Sequence, residues 1–282
     1  MQKTNFRFEV LIHDDASTDN TANIIREYEA RYPDIIKPIY QKENQYSKGV
    51  KIGQTYLYPN AKGKYIAECE GDDYWTDPLK LQKQVEILEM HPEYGCVYTA
   101  YETVDIYGNK CKYNEAVRNM RRSFTGDVFR ELLNDNFIQT LTCLFRAHLW
   151  DTFVAECPFS YDYPLFLNLA VQSQFYYLED VTGVYRINPV GLVQSGALKR
   201  NYNATVVRLC FVKVYLKNWR LRRSHRYWLH VNLWFLLEFS HIYILRGYWK
   251  YIKDVINIIP IYYIVVPSLS VINSFMSRFK RI

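Results

Sequence analysis

Short apolar runs alternate with amphipathic stretches along the first part of the chain. Residues 8–13, 36–40 and 64–68 are apolar and bounded by polar turns, which predicts three strands. Residues 21–32 between the first two runs have helical spacing, and a further helix is expected to end near Pro59. Strands that alternate with helices at this spacing predict an α/β fold with a Rossmann-like, mostly parallel sheet.

The same alternation continues beyond residue 75. The remaining expected elements are helices over 77–90, 126–133 and 162–171, and strands over 95–100, 140–145 and 175–186. From residue 197 onward the pattern is helical and rich in Trp, Tyr and Arg. The order of elements therefore predicts an α/β domain followed by a helical extension.

Acidic turns follow two of the predicted strands. Asp14 and Asp15 come directly after the first strand, and Glu70, Asp72 and Asp73 follow the third. In open α/β sheets the ligand crevice lies outside the carboxyl ends of the strands. Both turns are therefore expected to open on the same edge of the sheet.

Clustered carboxylates repel one another unless a cation neutralises them, and hard divalent cations prefer oxygen ligands. Mg²⁺ commonly takes one or two carboxylates and fills its shell with water and phosphate oxygens. The acidic turns thus suit a site for a metal and a diphosphate. They equally suit solvated turns or helix caps, where negative charge is mildly favourable. The residues alone leave both interpretations open.

Charge is distributed unevenly along the chain and indicates a domain boundary. Residues 199–282 hold 15 Lys and Arg against 2 Asp and Glu, whereas residues 1–198 hold 20 against 27. This shift predicts a boundary between an α/β domain over 1–198 and a basic, aromatic-rich helical region over 199–282.

The basic region has features of a membrane-surface segment. Its arginines at 220, 222, 223 and 226 are interleaved with Trp and Tyr, and residues 255–275 are apolar but interrupted by Pro260 and Pro267. Peripheral attachment to an anionic membrane surface is therefore expected. Helices packed on the first domain and a membrane span are the alternatives. No other feature supports binding to nucleic acid.

The cysteines bear on the compartment. The six cysteines have no CxxC spacing, and the chain opens with polar residues rather than a signal peptide. We therefore expect a reduced, cytoplasmic environment with neither a zinc site nor a disulfide framework.

Two segments carry a family resemblance. Residues 9–21, EVLIHDDASTDNT, resemble the EIIVVDDGSTDGT signature of family 2 glycosyltransferases. Residues 70–84, which begin EGDDYWTDPLKL, resemble their DxDDxW.P.KLE.Q signature, in the same order and at the same spacing. The resemblance implies the GT-A fold of nucleotide-diphospho-sugar transferases.

The resemblance implies roles for the first acidic turn and for the segment that follows it. Asp15 would contact the nucleotide base, with Asp14 supporting the turn. Lys51 would lie near the phosphate or the base, although a solvated helix lysine is the alternative.

The second acidic turn would hold the rest of the donor. Glu70 would face the ribose, and Asp73 is counted with the nucleotide-sugar-binding residues. Asp72 would hold a divalent metal, Mn²⁺ or Mg²⁺, that bridges the diphosphate.

Asp162 matches the position of the family's general base, which deprotonates the acceptor hydroxyl. An Asp before an apolar helical run is otherwise a helix cap. Asn188 stands where the family often has a His that contacts metal or phosphate, and Asn is a weaker ligand.

The implied activity is transfer of a sugar from a nucleotide-diphosphate donor, with a UDP-sugar expected, to a saccharide or lipid-linked acceptor. Inversion at the anomeric centre is expected, as is a role in surface polysaccharide or lipopolysaccharide synthesis at the inner face of the membrane. A metal-dependent phosphohydrolase and an inactive remnant that only binds partners or membrane are the alternatives.

The resemblance also implies a difference at the start of the chain. Family members begin with a strand and a helix before the DDxSTD segment, so about forty residues are expected to be missing and Met1 to be internal in the family pattern. Loss of a central strand exposes backbone hydrogen-bonding groups, so impaired folding or weak nucleotide binding is expected.

Overall fold

The computed structural model describes residues 2–111, 123–150, 162–188 and 207. The chain divides into two compact units, Met1–Arg200 and Asn201–Ile282, and the fold described below belongs to the first. Apart from residue 207, the expected helical region over 199–282, with its arginines and the run over 255–275, lies outside the described residues.

The described segments of the first unit form strands and helices in alternation. In chain order they are β1 (Val10–Asp14), α1 (Thr21–Arg31), β2 (Ile36–Tyr40), β3 (Tyr65–Ala67), β4 (Tyr74–Trp75), α2 (Lys80–Met90), β5 (Tyr94–Asp105), α3 (Phe129–Asn134), β6 (Leu144–Arg146), α4 (Asp162–Gln172) and β7 (Gln174–Ile187). This order confirms the α/β class. None of the helices in the described segments is long and apolar enough to cross a membrane.

Strands β1 and β2 form a small parallel sheet with Val10 opposite Ile36 and Asp14 opposite Tyr40. Helix α1 connects them and buries Ile25. A parallel pair needs such a crossover, because the chain must return to the starting edge before it can run in the same direction.

The other five strands form one sheet in the order β3-β6-β5-β7-β4. Only β5 and β7 are parallel; the pairs β3–β6, β5–β6 and β4–β7 are antiparallel. The expected mostly parallel sheet is thus a mixed one. The short strands β4 and β6 pair antiparallel with segments far away in the chain, and this pairing is invisible in the pattern of apolar residues.

Local structure differs from the expectation in three segments. The helix expected to end near Pro59 is a π-helical turn over Gly53–Leu57 followed by a 3₁₀ turn over Tyr58–Asn60. The strand expected over 140–145 is a 3₁₀ turn, Thr140–Thr142, followed by β6. Strand β5 runs five residues past its expected end because β7 pairs with it as far as Asp105.

Apolar helix faces cover the large sheet. Leu81 and Leu88 of α2 pack with Val97 of β5 and Leu144 of β6 in one buried cluster. Helix α4 is buried along most of its length, from Tyr163 to Ala170. This packing fixes the positions of the second acidic turn, which precedes α2, and of Asp162, the first residue of α4.

Candidate active site

The second acidic turn, Glu70–Asp73, lies between β3 and β4. The backbone N–H of Asp73 donates to the carbonyl of Glu70 at 3.1 Å, which closes the turn. The turn then enters β4, where Tyr74 lies opposite Val184 and Trp75 opposite Gly183 of β7. The acidic turn is therefore attached to β7, more than a hundred residues further along the chain.

Trp75 anchors the end of this turn in the core. Its indole Nε1 donates to the carbonyl of Leu141 at 2.8 Å, and the Nζ of the fully buried Lys80 lies 4.5 Å from its ring centroid. Lys80 also donates to Gln84 Oε1 at 2.7 Å. Burial lowers the pKa of Lys80 to about 8. The cation–π contact and the hydrogen bond compensate part of the cost of burying this ammonium group.

Asp73 joins the turn to the end of β7. Its Oδ1 accepts a hydrogen bond from the backbone N–H of Arg186 at 2.8 Å. Desolvation raises the pKa of Asp73 to about 6, and the charge of Asp72 acts in the same direction. This contact supports the backbone of the turn. Direct binding of the nucleotide sugar by Asp73 stays a prediction.

Among the acidic side chains of the turn, that of Asp72 is accessible to a ligand. Its carboxylate is exposed and makes no hydrogen bond to a described residue. The described residues contain no group of three His, Cys, Asp or Glu side chains that could hold a metal. A single exposed carboxylate still fits Mg²⁺ or Mn²⁺, because such ions complete their shell with water and phosphate oxygens. Its role as the metal ligand stays a prediction.

Glu70 is the first residue of the acidic turn, and its side chain interacts electrostatically with Asp162. Solvent reaches its side chain, yet desolvation by the surrounding protein raises its pKa to about 7, opposed by a hydrogen bond with Thr140. The charges of Asp73 and Asp162 also raise the pKa. Glu70 and Asp162 are therefore close enough to interact, although 92 positions separate them.

Asp162 is the first residue of α4 and is partly buried. Its Oδ2 accepts a hydrogen bond from Nδ2 of Asn136 at 3.2 Å. Neither the catalytic nor the capping interpretation of Asp162 is tested by this contact. What it does provide is a defined orientation for the carboxylate beside Glu70.

Glu68 and Tyr58 extend the acidic cluster and were missed by the sequence analysis. The Tyr58 hydroxyl donates a short hydrogen bond to Glu68 Oε1, and desolvation raises the pKa of Glu68 to about 7. The charges of Glu70 and Asp162 contribute to the same shift. The feature of the sequence that could have identified Glu68 is its charge, because it stands at the end of an apolar strand, where apolar residues are usual.

The first acidic turn has a different structure. Asp15 accepts hydrogen bonds from the backbone N–H groups of Gln45 at 2.8 Å and Tyr46 at 2.9 Å, one on each carboxylate oxygen. Asp14 is buried, and its Oδ1 has no hydrogen-bond partner among the described residues. Ala16 in the turn has a left-handed backbone, φ 60°. Contact of Asp14 or Asp15 with a nucleotide stays a prediction.

One segment connects the two acidic turns. The ring of Tyr56 stacks on His13, next to Asp14, with centroids 5.0 Å apart, while Tyr58 binds Glu68, two residues before Glu70. Burial lowers the pKa of His13, against the charges of Asp15 and Asp14. Both turns therefore flank the same turn of chain over residues 53–60. No described contact joins their carboxylates directly.

The remaining predicted residues lie at the margins of this region. Lys51 precedes the π-helical turn, and its carbonyl accepts the N–H of Thr55 at 2.9 Å. Asn188 follows β7 and is the last described residue of its segment. Roles for both stay predictions. Gln54, which the sequence analysis did not select, is buried with both amide atoms unpartnered among the described residues.

Comparison with known proteins identifies the class of protein to which this α/β fold with carboxylates at strand ends belongs. Residues 1–153 match the family model for Glycosyl transferase family 2. The chain belongs to glycosyltransferase family 2.

The chain is also similar to proteins from several bacteria. The chain is 38% identical over 200 residues to Rv1520 of Mycobacterium tuberculosis, which covers 71% of this chain and 56% of the relative. It is 40% identical over 101 residues to the Bacillus subtilis glycosyltransferase EpsE, covering 36% of this chain and 35% of EpsE. It is 34% identical over 89 residues to the Escherichia coli UDP-Glc:alpha-D-GlcNAc-diphosphoundecaprenol beta-1,3-glucosyltransferase WfaP, covering 32% and 33%. The chain thus spans about half the length of its mycobacterial relative.

Proposed function

We propose that this chain transfers a sugar from a nucleotide-diphosphate donor, a UDP-sugar in the first instance, to an acceptor hydroxyl with inversion at the anomeric carbon. The observation that carries the proposal is the meeting of Glu70, Asp73 and Asp162 in one acidic region, with the exposed Asp72 beside them. Membership of family 2 supports the same conclusion.

Asp162 is the proposed general base. It takes the proton of the acceptor hydroxyl as that oxygen bonds to the anomeric carbon, and the bond between the anomeric carbon and the diphosphate oxygen breaks. The electron pair of that bond leaves with the diphosphate, and attack on the face opposite the leaving group inverts the anomeric carbon in one displacement. The hydrogen bond from Asn136 holds the Asp162 carboxylate in one orientation for this step.

The donor is proposed to lie across the two acidic turns. Asp14, Asp15 and Lys51 lie on the base side, Glu70 faces the ribose, and Asp72 and Asp73 lie on the diphosphate side. A divalent cation held by Asp72, Mn²⁺ or Mg²⁺, supplies neutralisation of the diphosphate charge when bound.

The acceptor is proposed to be a saccharide or a lipid-linked sugar in surface polysaccharide or lipopolysaccharide synthesis. The relative WfaP is named for a diphosphoundecaprenol-linked sugar, and such an acceptor lies at a membrane. The basic charge of residues 199–282 supports a peripheral position on the cytoplasmic face of the membrane.

The experiment combines the purified chain, Mn²⁺, a panel of UDP-sugars and lipid-linked or free saccharide acceptors, with products identified by mass spectrometry. We expect a glycosylated acceptor and free UDP.

Asp162→Asn should lower kcat by about 10²- to 10⁴-fold and leave UDP affinity unchanged, because it removes the proton acceptor and not a donor contact. Asp72→Asn should remove the Mn²⁺-dependent part of the thermal stabilisation by UDP.

Asp34→Asn, a change of the same type at an exposed position after α1, is the matched control for both variants. Release of free sugar at an equal rate with and without acceptor would indicate a hydrolase instead. A wild-type chain that binds no donor under any condition would indicate a non-catalytic protein.

A further inference from the structure

Arg186, near the end of β7, is the basic side chain that the described contacts place at the surface of the second acidic turn. Its guanidinium Nε donates to the backbone carbonyl of Asp72 at 2.9 Å. Its backbone N–H donates to Asp73 Oδ1 at 2.8 Å. Arg186 is thus tied to Asp72 and Asp73, the last two residues of the second acidic turn.

The ring of Tyr74 fixes the guanidinium from a third direction. The guanidinium carbon lies 5.8 Å from the centroid of this ring, within the range of a cation–π contact. Strand β4 holds Tyr74 opposite Val184, two residues before Arg186 on β7. The position of the guanidinium is therefore set by the pairing of two strands and not by a flexible loop.

These contacts use only part of the hydrogen-bonding capacity of the side chain. The Nε–H is occupied, whereas the two terminal amino groups make no hydrogen bond to a described residue. Arg186 is also only partly buried. A planar group with two free amino groups matches the geometry of phosphate oxygens and donates to two of them at once.

We propose that Arg186 binds the diphosphate of the donor beside Asp72 and stabilises the negative charge that the diphosphate gains as it leaves. The inference rests on the proposed function for its ligand, and it adds a residue that none of the assigned roles includes. Fixed cationic donors aimed at developing charge lower a barrier because they need no reorganisation during the reaction.

A purely structural role would need less than an arginine. The link to Asp73 comes from the backbone N–H, which any residue except proline supplies at position 186. The link to the Asp72 carbonyl needs one donor and no charge. The remaining charge and the two amino groups lie next to an exposed carboxylate, where an anion and a cation are expected to bind together.

The test measures binding of three probes to the full chain by calorimetry, with and without Mn²⁺: UDP, uridine and inorganic pyrophosphate. Arg186→Gln should weaken UDP and pyrophosphate binding by about tenfold or more and leave uridine binding unchanged, because only the phosphate contacts are lost. Arg186→Lys should recover part of the affinity, since it keeps the charge without the planar fork. Arg31→Gln, the same change at an exposed position on α1, is the control.

Each outcome has one meaning. Equal affinity of the wild type and Arg186→Gln for both UDP and pyrophosphate overturns the inference and leaves the proposed function intact. An equal loss for uridine and UDP shows a structural role only and also overturns it. A wild type that binds pyrophosphate through Arg186 but no UDP contradicts the proposed donor and supports the inference.

Discussion

At the scale of single residues, three carboxyl groups in or near the second acidic turn, those of Glu68, Glu70 and Asp73, have pKa values raised towards neutral pH. Burial raises the pKa of Glu68 and Glu70 to about 7 and that of Asp73 to about 6. In each case desolvation is the largest cause and neighbouring negative charge adds to it. A cation bound at such a site would stabilise the ionised forms of these carboxyl groups.

Glu68 makes the stability of the protein depend on pH. Its pKa is about 7 in the folded chain against an ordinary value of 4.5, so the folded state holds the extra proton between these values. Stability is therefore highest below about pH 4.5 for this group and falls as pH rises through 7.

Glu68→Gln removes this titration and keeps an acceptor for the Tyr58 hydroxyl. We expect the Tm of Glu68→Gln to exceed that of the wild type by a few degrees at pH 8 and by much less near pH 5, where little of the stability from protonated Glu68 has been lost. Differential scanning fluorimetry across this range checks the expectation. Glu86→Gln, at an exposed position on α2, should show no such pH dependence. A Tm difference that is the same at pH 5 and pH 8 would count against the assigned cause.

At the scale of elements, the two-residue strand β4 determines where the acidic turn lies. Its pairing with β7 depends on close approach at Gly183, opposite Trp75. A Cβ atom on Gly183 would lie 2.7 Å from Leu141 Cδ1 and 3.2 Å from the carbonyl oxygen of Tyr74. Glycine is therefore required by space at this position and not by backbone conformation.

Gly183→Ala should destabilise the protein by about 1–3 kcal/mol, because the Leu141 side chain must move and the β4–β7 pair must separate slightly. We also expect weaker UDP binding in the presence of Mn²⁺, since Asp72 lies on the displaced turn. Denaturant unfolding and calorimetry measure the two effects. Gly53→Ala is the control, because its added Cβ would meet its nearest atom at an ordinary 3.6 Å. Unchanged stability and binding in Gly183→Ala would show that the turn does not depend on this contact.

At the scale of the whole molecule, charge separates the chain into an acidic part that carries the candidate site and a basic part over 199–282. An anionic membrane attracts basic side chains and repels carboxylates, so the basic part is the one expected to contact a membrane surface.

The full chain should cosediment with vesicles that contain anionic phosphatidylglycerol and not with neutral phosphatidylcholine vesicles, and salt should release it. Replacement of the arginines at 220, 222, 223 and 226 by Gln should weaken this binding. A control variant removes the same charge at four exposed positions of the first unit: Arg7, Arg26, Arg31 and Lys37. Equal binding of both variants and the wild type would exclude these arginines as the membrane contact.

The order of the longer strands and helices, the acidic turns that follow β1 and β3, and the family could be read from the sequence alone. These features are local: a strand, its turn and the following helix are encoded by the alternation and the turn residues of a short segment. The domain boundary, the missing first strand and the catalytic and binding roles stay predictions.

Which residues meet depends on the packing of the whole domain and could not be read from the sequence. The tertiary structure placed Asp73 against Arg186, 113 positions away, attached β4 to β7, and put Glu68 with Tyr58 beside Glu70 and Asp162. It also showed that the sheet expected to be mostly parallel is a mixed one. Strand pairing and the desolvation of a carboxyl group depend on segments far apart in the chain packing at the same time, and no local pattern of apolar and polar residues contains that information.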